Sequence, residues 1–203
     1  GKKLSTRKGG NVKLCDLLNQ AWDDAKEEMK RRNEKNKSGY SDEYINEASE
    51  KLGYSAVKYY DLKQFRAGNY KFDWDKMLDD KGNTAVYLFY SYVRICSVFR
   101  KNELKDEDIA KIIATDKIKI TDKFEKKLML HLLKFNDVID DVVNGLAINL
   151  LCEFVYGIAT SFAEFYENCR VTGNPSRILM IELTKRLMKT SFDLLGLTPI
   201  EKI

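Results

Sequence analysis

Apolar residues recur at intervals of three or four positions from about residue 14 onward, which is the spacing of a helical face. Pro175 and Pro199 are the only prolines, so little in the chain interrupts a helix. The pattern predicts an all-α protein. In the second part of the chain we expect helices at residues 83–101, 105–115, 122–134, 136–169 with a break near Gly145, and 176–195.

The first part of the chain predicts shorter elements. Residues 13–32 join an apolar start to a charged run and predict a helix with a solvated end, followed by the polar connector NEKNKSG. The stretch SDEYINEASEKLGYSAVKYYDLKQF predicts two helices that are broken at Gly53. NYKFDW predicts an extended piece before a short helix in DKMLDD. We therefore expect a domain boundary near residue 76.

Local signals mark several helix ends. Asp122 followed by Glu125 predicts a capping box at the start of one helix. Gly196 and Pro199 predict the end of the last helix, because glycine accepts a left-handed conformation and proline does not continue a helix. The last residues are therefore expected to leave the bundle as a short arm, with Leu197 and Ile200 packed against it.

The helix predicted at residues 83–101 has two faces that need partners. Its core stripe consists of Ala85, Leu88, Phe89, Tyr92, Cys96 and Phe99. The opposite face carries Tyr87, Tyr90, Ser91, Arg94 and Lys101. Either neighbouring helices cover both faces, or the tyrosines and the arginine form a platform for unpaired bases and phosphate. In the second case each stacked base contributes about 1 to 3 kcal/mol.

Composition narrows the function classes only a little. The chain has a net charge of +4 from 35 basic and 31 acidic residues, which permits a polyanionic partner without requiring one. The four cysteines form no C-x-x-C pair, and with a single histidine they exclude the usual zinc sites; buried, reduced thiols are expected. Glu153 and Glu164 interrupt the most apolar segment, which therefore predicts a core helix rather than a membrane span.

Other candidate residues have simpler explanations. His131 lies on a mostly apolar helix and is interpreted as a packing residue with its hydrogen bonds satisfied. The pair Asp79 and Asp80 is typical of a polar helix end. No nucleophile triad, P-loop or dinucleotide fingerprint is present. Three cations of the last helix can contact phosphate or simply face solvent: Lys185, Arg186 and Lys189.

Four blocks of the sequence resemble arginyl-tRNA synthetases, in the order in which that family has them. KLSTRKGGNVKL resembles the family's version of the class I signature loop, usually written KMSKS. GYSAVKYYDLKQFRAGNYKFDWDKML resembles the segment before the anticodon-binding domain. KMLDDKGNTAVYLFYSYVRICSV resembles the start of that helical domain, and FDLLGLTPIEKI resembles the family's C-terminus. The resemblance implies a signature loop at residues 1–12, a helical connecting (stem-contact) segment at 13–76 and an anticodon-binding domain of the DALR type at 77–203.

The resemblance also assigns candidate site residues. In the signature loop, Lys3, Ser5 and Arg7 would face the phosphates of ATP, with Leu4 in place of the usual methionine. In such enzymes the nucleotide-binding fold with its HIGH motif precedes this loop, so the resemblance implies a C-terminal portion that is inactive alone. The residues that would face the RNA are Tyr87, Tyr90, Arg94, Arg100, Tyr166 and, where the family usually has a terminal methionine, Ile203.

The sequence thus predicts the tRNA-binding C-terminal region of an arginine–tRNA ligase. The parent enzyme would attach arginine to tRNA(Arg) through arginyl-adenylate, using ATP and Mg in the cytoplasm. These residues alone are expected to bind tRNA(Arg), and no metal, cofactor, DNA or membrane. Two alternatives remain open: an all-α interaction module that docks a partner helix on the Tyr87 face, and the anticodon domain of another class I synthetase.

Overall fold

The structure is a computed structural model that describes residues 13–202. Within that range the chain forms nine helices and no β-strand, which confirms the all-α prediction. The helices are α1 Leu14–Asn36, α2 Asp42–Leu62, α3 Trp74–Leu78, α4 Ala85–Lys101, α5 Asp106–Thr115, α6 Lys123–Leu132, α7 Phe135–Gly145, α8 Asn149–Asn168 and α9 Pro175–Leu194.

Helices α1 and α2 pack against each other as a hairpin. The predicted break at Gly53 is wrong, because α2 continues through this glycine. A Cβ atom at position 53 would lie 2.6 Å from the backbone oxygen of Ala21 on α1, so glycine permits a close approach of the two helices. The predicted polar connector is also largely helical: α1 continues to Asn36 and ends where Lys37 adopts φ +50°.

The predicted helices of the second part are all present, and their ends differ by one or two residues. The capping box of Asp122 and Glu125 is confirmed at the start of α6. The break near Gly145 is confirmed between α7 and α8, where Leu146 takes φ +48°. At the end of α9, Gly196 takes φ +63° and the Leu197 N–H donates to the Phe192 carbonyl at 2.8 Å.

Helix α8 lies in the centre of the bundle and contacts α2, α4, α6, α7 and α9. Its buried side chains include Phe162 and Phe165, both 0% exposed, which confirms the prediction of a core helix. The glutamates of this segment reach polar partners: Glu153 accepts from Asn83, and Glu164 forms an ion pair with Lys127. None of the helices within residues 13–202 has both the length and the apolar character that a membrane crossing requires.

One hydrophobic core extends on both sides of residue 76. The buried Tyr59 of α2 places its hydroxyl 3.0 Å from the carbonyl oxygen of Cys152 on α8, next to the side chain of Asn83. The first helices therefore pack directly on the bundle that follows them. The domain boundary near residue 76 stays a prediction based on sequence.

The cysteines and the histidine have mainly structural roles. All four cysteines are free thiols; three are buried as predicted, whereas Cys15 is exposed on α1, so the prediction is wrong for this residue. His131 is confirmed as a packing residue: its Nε2 lies 2.9 Å from the carbonyl oxygen of Phe154, and the two rings stack at 4.9 Å. Between residues 13 and 202, no group of three or more potential ligand side chains is placed to hold a metal ion.

Candidate nucleic-acid interface

Tyr87 and Arg94 lie on the same side of α4, two turns apart. Tyr87 is half-buried, and its ring contacts Tyr156 of α8 edge-on at 5.7 Å. Burial and the neighbouring Tyr156 raise the pKa of Tyr87, while a hydrogen bond with Ser91 and the charge of Arg94 act in the opposite direction. The net effect is upward, so Tyr87 presents a neutral phenol beside a cation near pH 7.

Tyr90 faces a different neighbour. The guanidinium of Arg32 on α1 lies over its ring at 4.5 Å, and Arg32 also donates to Glu28 at 2.6 Å and Asp80 at 2.9 Å. Burial raises the pKa of Tyr90 to about 12, although the charge of Arg32 lowers it. The ring face that was predicted to stack on a base is therefore in contact with a protein cation.

Arg94 is exposed between these two tyrosines, and its guanidinium forms no ion pair with any carboxylate in residues 13–202. Lys101 on the same face is also exposed. Ser91 is only 6% exposed, so the prediction that it belongs to an open face of α4 is wrong. The exposed part of the predicted face is therefore a narrow strip along α4. Neighbouring helices thus cover both edges of the predicted face and leave its middle open.

Arg100 contacts the C-terminal arm, residues 197–202. Its Nη1 donates to the Glu201 carbonyl at 3.0 Å. From α2, Tyr44 donates to the Lys202 carbonyl at 2.6 Å, and Lys58 donates to the Gly196 carbonyl. These three side chains hold the backbone of the arm and of Gly196 directly before it.

Apolar contacts anchor the same arm from inside. Leu197 is 3% exposed and Ile200 is 4% exposed, which confirms that these two residues plug the bundle. Ile203, at the end of the arm, lies outside the described residues, as do Lys3, Ser5 and Arg7 of the signature loop.

Tyr166 lies in the last turn of α8, and its ring stacks on Phe162 at 5.8 Å with an interplanar angle of 29°. It is half-buried. Its recorded ring contact is with its own helix, and no ring contact joins it to Tyr87 or Tyr90 in the part of the chain that the structure describes. The structure therefore brings Tyr87 and Arg94 together, and it directs the other candidates to separate neighbours.

Two clefts border α4. The first, the α1–α4 cleft, has a volume of about 280 Å³ and includes Glu28, Arg31, Arg32, Asp80 and Tyr90. The second, the tail cleft, has a volume of about 370 Å³ and lies between the end of α4, the start of α5, Lys185 of α9 and the C-terminal arm. Both open to solvent next to residues that the sequence indicated as RNA-facing.

Sequence reasoning missed Arg32, Tyr44 and Lys58, the side chains that hold Tyr90 and the arm. Arg32 is 58 positions from Tyr90, and Tyr44 is 158 positions from Lys202. No periodicity or motif in one sequence pairs residues at such separations.

Comparison with known proteins shows which family the chain belongs to. Residues 88–203, more than half of the chain, match the family model described as DALR anticodon binding domain. The chain belongs to this family. Residues 1–74 match a second model, described as tRNA synthetases class I (R), catalytic domain. The chain therefore carries a DALR anticodon-binding domain directly after a segment of a class I synthetase catalytic domain. This order confirms the resemblance to arginyl-tRNA synthetases.

Curated relatives align along the whole length of this chain. Arabidopsis thaliana arginine–tRNA ligase, chloroplastic/mitochondrial, is 42% identical over 100% of this chain and 31% of the relative. The cytoplasmic arginine–tRNA ligase of the same plant is 40% identical over 100% of this chain and 34% of its own length. The chain thus spans about a third of the curated relatives it matches.

A solved structure has the same fold. The crystal structure of arginyl-tRNA synthetase from Plasmodium falciparum superposes with a TM-score of 0.83 and 42% sequence identity, over 95% of this chain and 34% of that one. The order and packing of the helices are therefore those of the matching part of that arginyl-tRNA synthetase.

Proposed function

We propose that this chain binds the anticodon loop of tRNA(Arg) as part of an arginine–tRNA ligase. The observation that carries the proposal is the match of residues 88–203 to the DALR anticodon-binding family, within a chain that aligns from end to end with arginine–tRNA ligases. Because these relatives are arginine–tRNA ligases, the alternative of an anticodon domain from another class I synthetase is weaker. The parent enzyme attaches arginine to tRNA with ATP and Mg, and its compartment is the cytoplasm.

Exposed cations and a neutral aromatic ring support RNA binding on the open strip of α4. Arg94 has no carboxylate partner in residues 13–202, so its charge is available to a phosphate without breaking an ion pair. Tyr87 offers a half-buried ring that contacts Tyr156 at 5.7 Å. Tyr90, Arg100, Tyr166 and Ile203 remain proposed contacts; for Tyr90 a base would have to displace or share Arg32.

Arg94→Ala tests the proposal. Because the guanidinium is exposed and unpaired, we expect its loss to weaken binding of a tRNA(Arg) anticodon stem-loop by about 1 to 3 kcal/mol and to leave the melting temperature unchanged. The slope of log K against log salt should fall by about 0.7 to 0.9, the value for one phosphate contact. Fluorescence anisotropy titrations at several salt concentrations measure both quantities.

Lys126→Ala is the matched control, since it removes one positive charge from an exposed position on α6. It should bind like the parent chain. Equal weakening by both substitutions would mean that only net charge matters, and an unaffected Arg94→Ala would remove this strip from the interface. A shallow salt dependence of the parent chain would favour the alternative of a docked partner helix.

The 203-residue polypeptide should show no arginine-dependent ATP–pyrophosphate exchange. Its match to the class I catalytic-domain model covers residues 1–74, while the proposed role of Lys3, Ser5 and Arg7 is to contact the phosphates of an ATP held by other groups. Exchange clearly above a reaction without protein would refute the proposal that further residues of a longer enzyme are required.

A further inference from the structure

The connection between α5 and α6 is an exposed, extended segment. It comprises residues 116–121, DKIKIT, and every one of them is exposed. The backbone is extended at both ends, with φ −110° and ψ 163° at Asp116 and φ −129° and ψ 152° at Asp122, directly after the segment. A stretch of about six residues has the usual length of a β-strand. No β-strand within residues 13–202 is available to pair with it.

One edge of this segment is fixed to the protein. The Lys119 N–H donates to the hydroxyl oxygen of Ser176 at 2.8 Å, and that hydroxyl donates to the Lys119 carbonyl at 3.1 Å. The Thr121 N–H donates to Glu125 at 2.6 Å, and Glu125 is in turn held by Arg177. These contacts keep the segment extended before any partner binds, which lowers the entropy cost of association.

The opposite edge has backbone groups without partners. In an extended chain the N–H and C=O of one residue point to one edge, and those of the next residue point to the other. Since Lys119 and Thr121 face the body of the protein, Ile118 and Ile120 direct their N–H and C=O groups outward. No hydrogen bond within residues 13–202 uses the backbone of either isoleucine. This edge can therefore pair with a second extended chain.

The side chains of the segment alternate between two chemistries. Lys117 and Lys119 lie on one face of the extended chain, and Ile118 and Ile120 lie on the other. The isoleucines are 40% and 49% exposed. Neither lysine forms an ion pair with a carboxylate in the described part of the chain. The segment thus offers apolar area on one face and unpaired positive charge on the other.

These features indicate which occupant suits the edge. A strand beside it would place acidic residues opposite the lysines and apolar residues opposite the isoleucines. A two-fold dimer through the same edge would pair antiparallel and bring lysine opposite lysine, which is unfavourable. An RNA phosphate would use the lysines but leave the isoleucines and their backbone groups without partners. An extended peptide uses all three.

We propose that residues 116–121 bind an extended segment of a partner protein by β-strand addition, and that this segment alternates acidic and apolar residues. The backbone groups of Ile118 and Ile120 supply the hydrogen bonds, and the alternating side chains supply the specificity. The site uses none of the residues proposed to face RNA. It therefore stands or falls independently of the proposed function.

The probe is a fluorescein-labelled peptide of alternating glutamate and valine, titrated with the 203-residue chain and followed by fluorescence anisotropy. Two further peptides keep its side chains, one N-methylated at the valines and the other at the glutamates. Strand addition uses donors of only one of these two sets, so one methylated peptide should bind about tenfold more weakly and the other like the probe. Loss with the valine set indicates antiparallel pairing, and loss with the glutamate set indicates parallel pairing.

Lys117→Glu tests the charge match. It places a carboxylate opposite a glutamate of the probe, and we expect about fivefold weaker binding at low salt. A peptide of alternating lysine and valine should bind this variant better than it binds the parent chain. Lys134→Glu is the matched control, because that lysine is also exposed and without an ion pair in the described residues, and lies beyond the other end of α6.

Several results would refute strand addition by a partner. Absence of binding at about 1 mM chain, or equal binding of the two methylated peptides, excludes a backbone ladder. Equal losses in Lys117→Glu and Lys134→Glu would mean that only net charge matters. If the probe does not bind and Lys117→Glu weakens binding of the tRNA(Arg) anticodon stem-loop as Arg94→Ala does, the segment belongs to the RNA interface. A dimer that Lys117→Glu alters in analytical ultracentrifugation would assign the edge to a second copy.

Discussion

Replacing Arg177 by methionine is expected to lower the free energy of unfolding by about 3 to 5 kcal/mol near neutral pH. The Arg177 Nε donates at 2.7 Å to Glu125, which is 1% exposed, and this ion pair joins the start of α9 to the start of α6. Without the guanidinium, Glu125 stays buried with an uncompensated charge. Urea denaturation followed by circular dichroism measures the loss.

The loss should depend on pH with a definite sign. Burial by itself would raise the pKa of Glu125, but hydrogen bonds from Thr121, Arg177 and Asp122 hold it below its ordinary value. A carboxylate whose pKa is lowered on folding contributes stability above its unfolded pKa of about 4.3, and that stability is lost as the pH falls through the folded pKa. The difference between parent and Arg177→Met should therefore be largest near pH 7 and shrink in acid.

Lys189→Met provides the comparison, because its ion pair with Asp193 is more than half exposed on both sides. Such pairs contribute at most about 1 kcal/mol. If Arg177→Met costs no more than Lys189→Met, or if its cost does not change between pH 7 and about pH 2.5, the buried pair does not have the energetic role assigned to it.

Gly53→Ala is expected to destabilise the chain by about 2 to 3 kcal/mol, as an overpacked contact typically does. The added Cβ would lie 2.6 Å from the Ala21 carbonyl oxygen and 2.7 Å from the Trp22 nitrogen, both backbone atoms that a side-chain rotation cannot move. In an exposed helix the same change would favour folding by about 1 kcal/mol, so the contact must outweigh that gain. Thermal unfolding measures the sum.

Gly145→Ala is the matched control, since its added Cβ would meet only the Ala147 side chain at an ordinary 3.5 Å. It should be neutral or slightly stabilising. Because α2 carries Tyr44 and Lys58, which hold the C-terminal arm, Gly53→Ala should also loosen the arm. A Gly53→Ala chain as stable as Gly145→Ala would show that α1 and α2 can separate without cost.

The sequence by itself determined the helical class, most helix ends and the family. The Asp122 and Glu125 capping box, the break at Gly145 and the stop at Gly196 follow from interactions within five residues, which a local pattern contains. The central place of α8 followed from its apolar composition. The four ordered blocks carried the resemblance to arginyl-tRNA synthetases, which the family models bear out.

Only the tertiary structure decided which side chains meet. Gly53 has the local signature of a helix break, yet the backbone of Ala21, 32 positions earlier, makes it a packing contact. The resemblance predicts that Tyr90 and Arg100 face RNA, and the fold gives them Arg32 and the Glu201 carbonyl as partners. In the described part of the chain, the same folding pairs Arg32 with Glu28 and Asp80 and places Lys185 over the Phe99 ring. Which side chains of distant helices meet depends on how those helices pack, and the spacing of residues within a local window does not predict it.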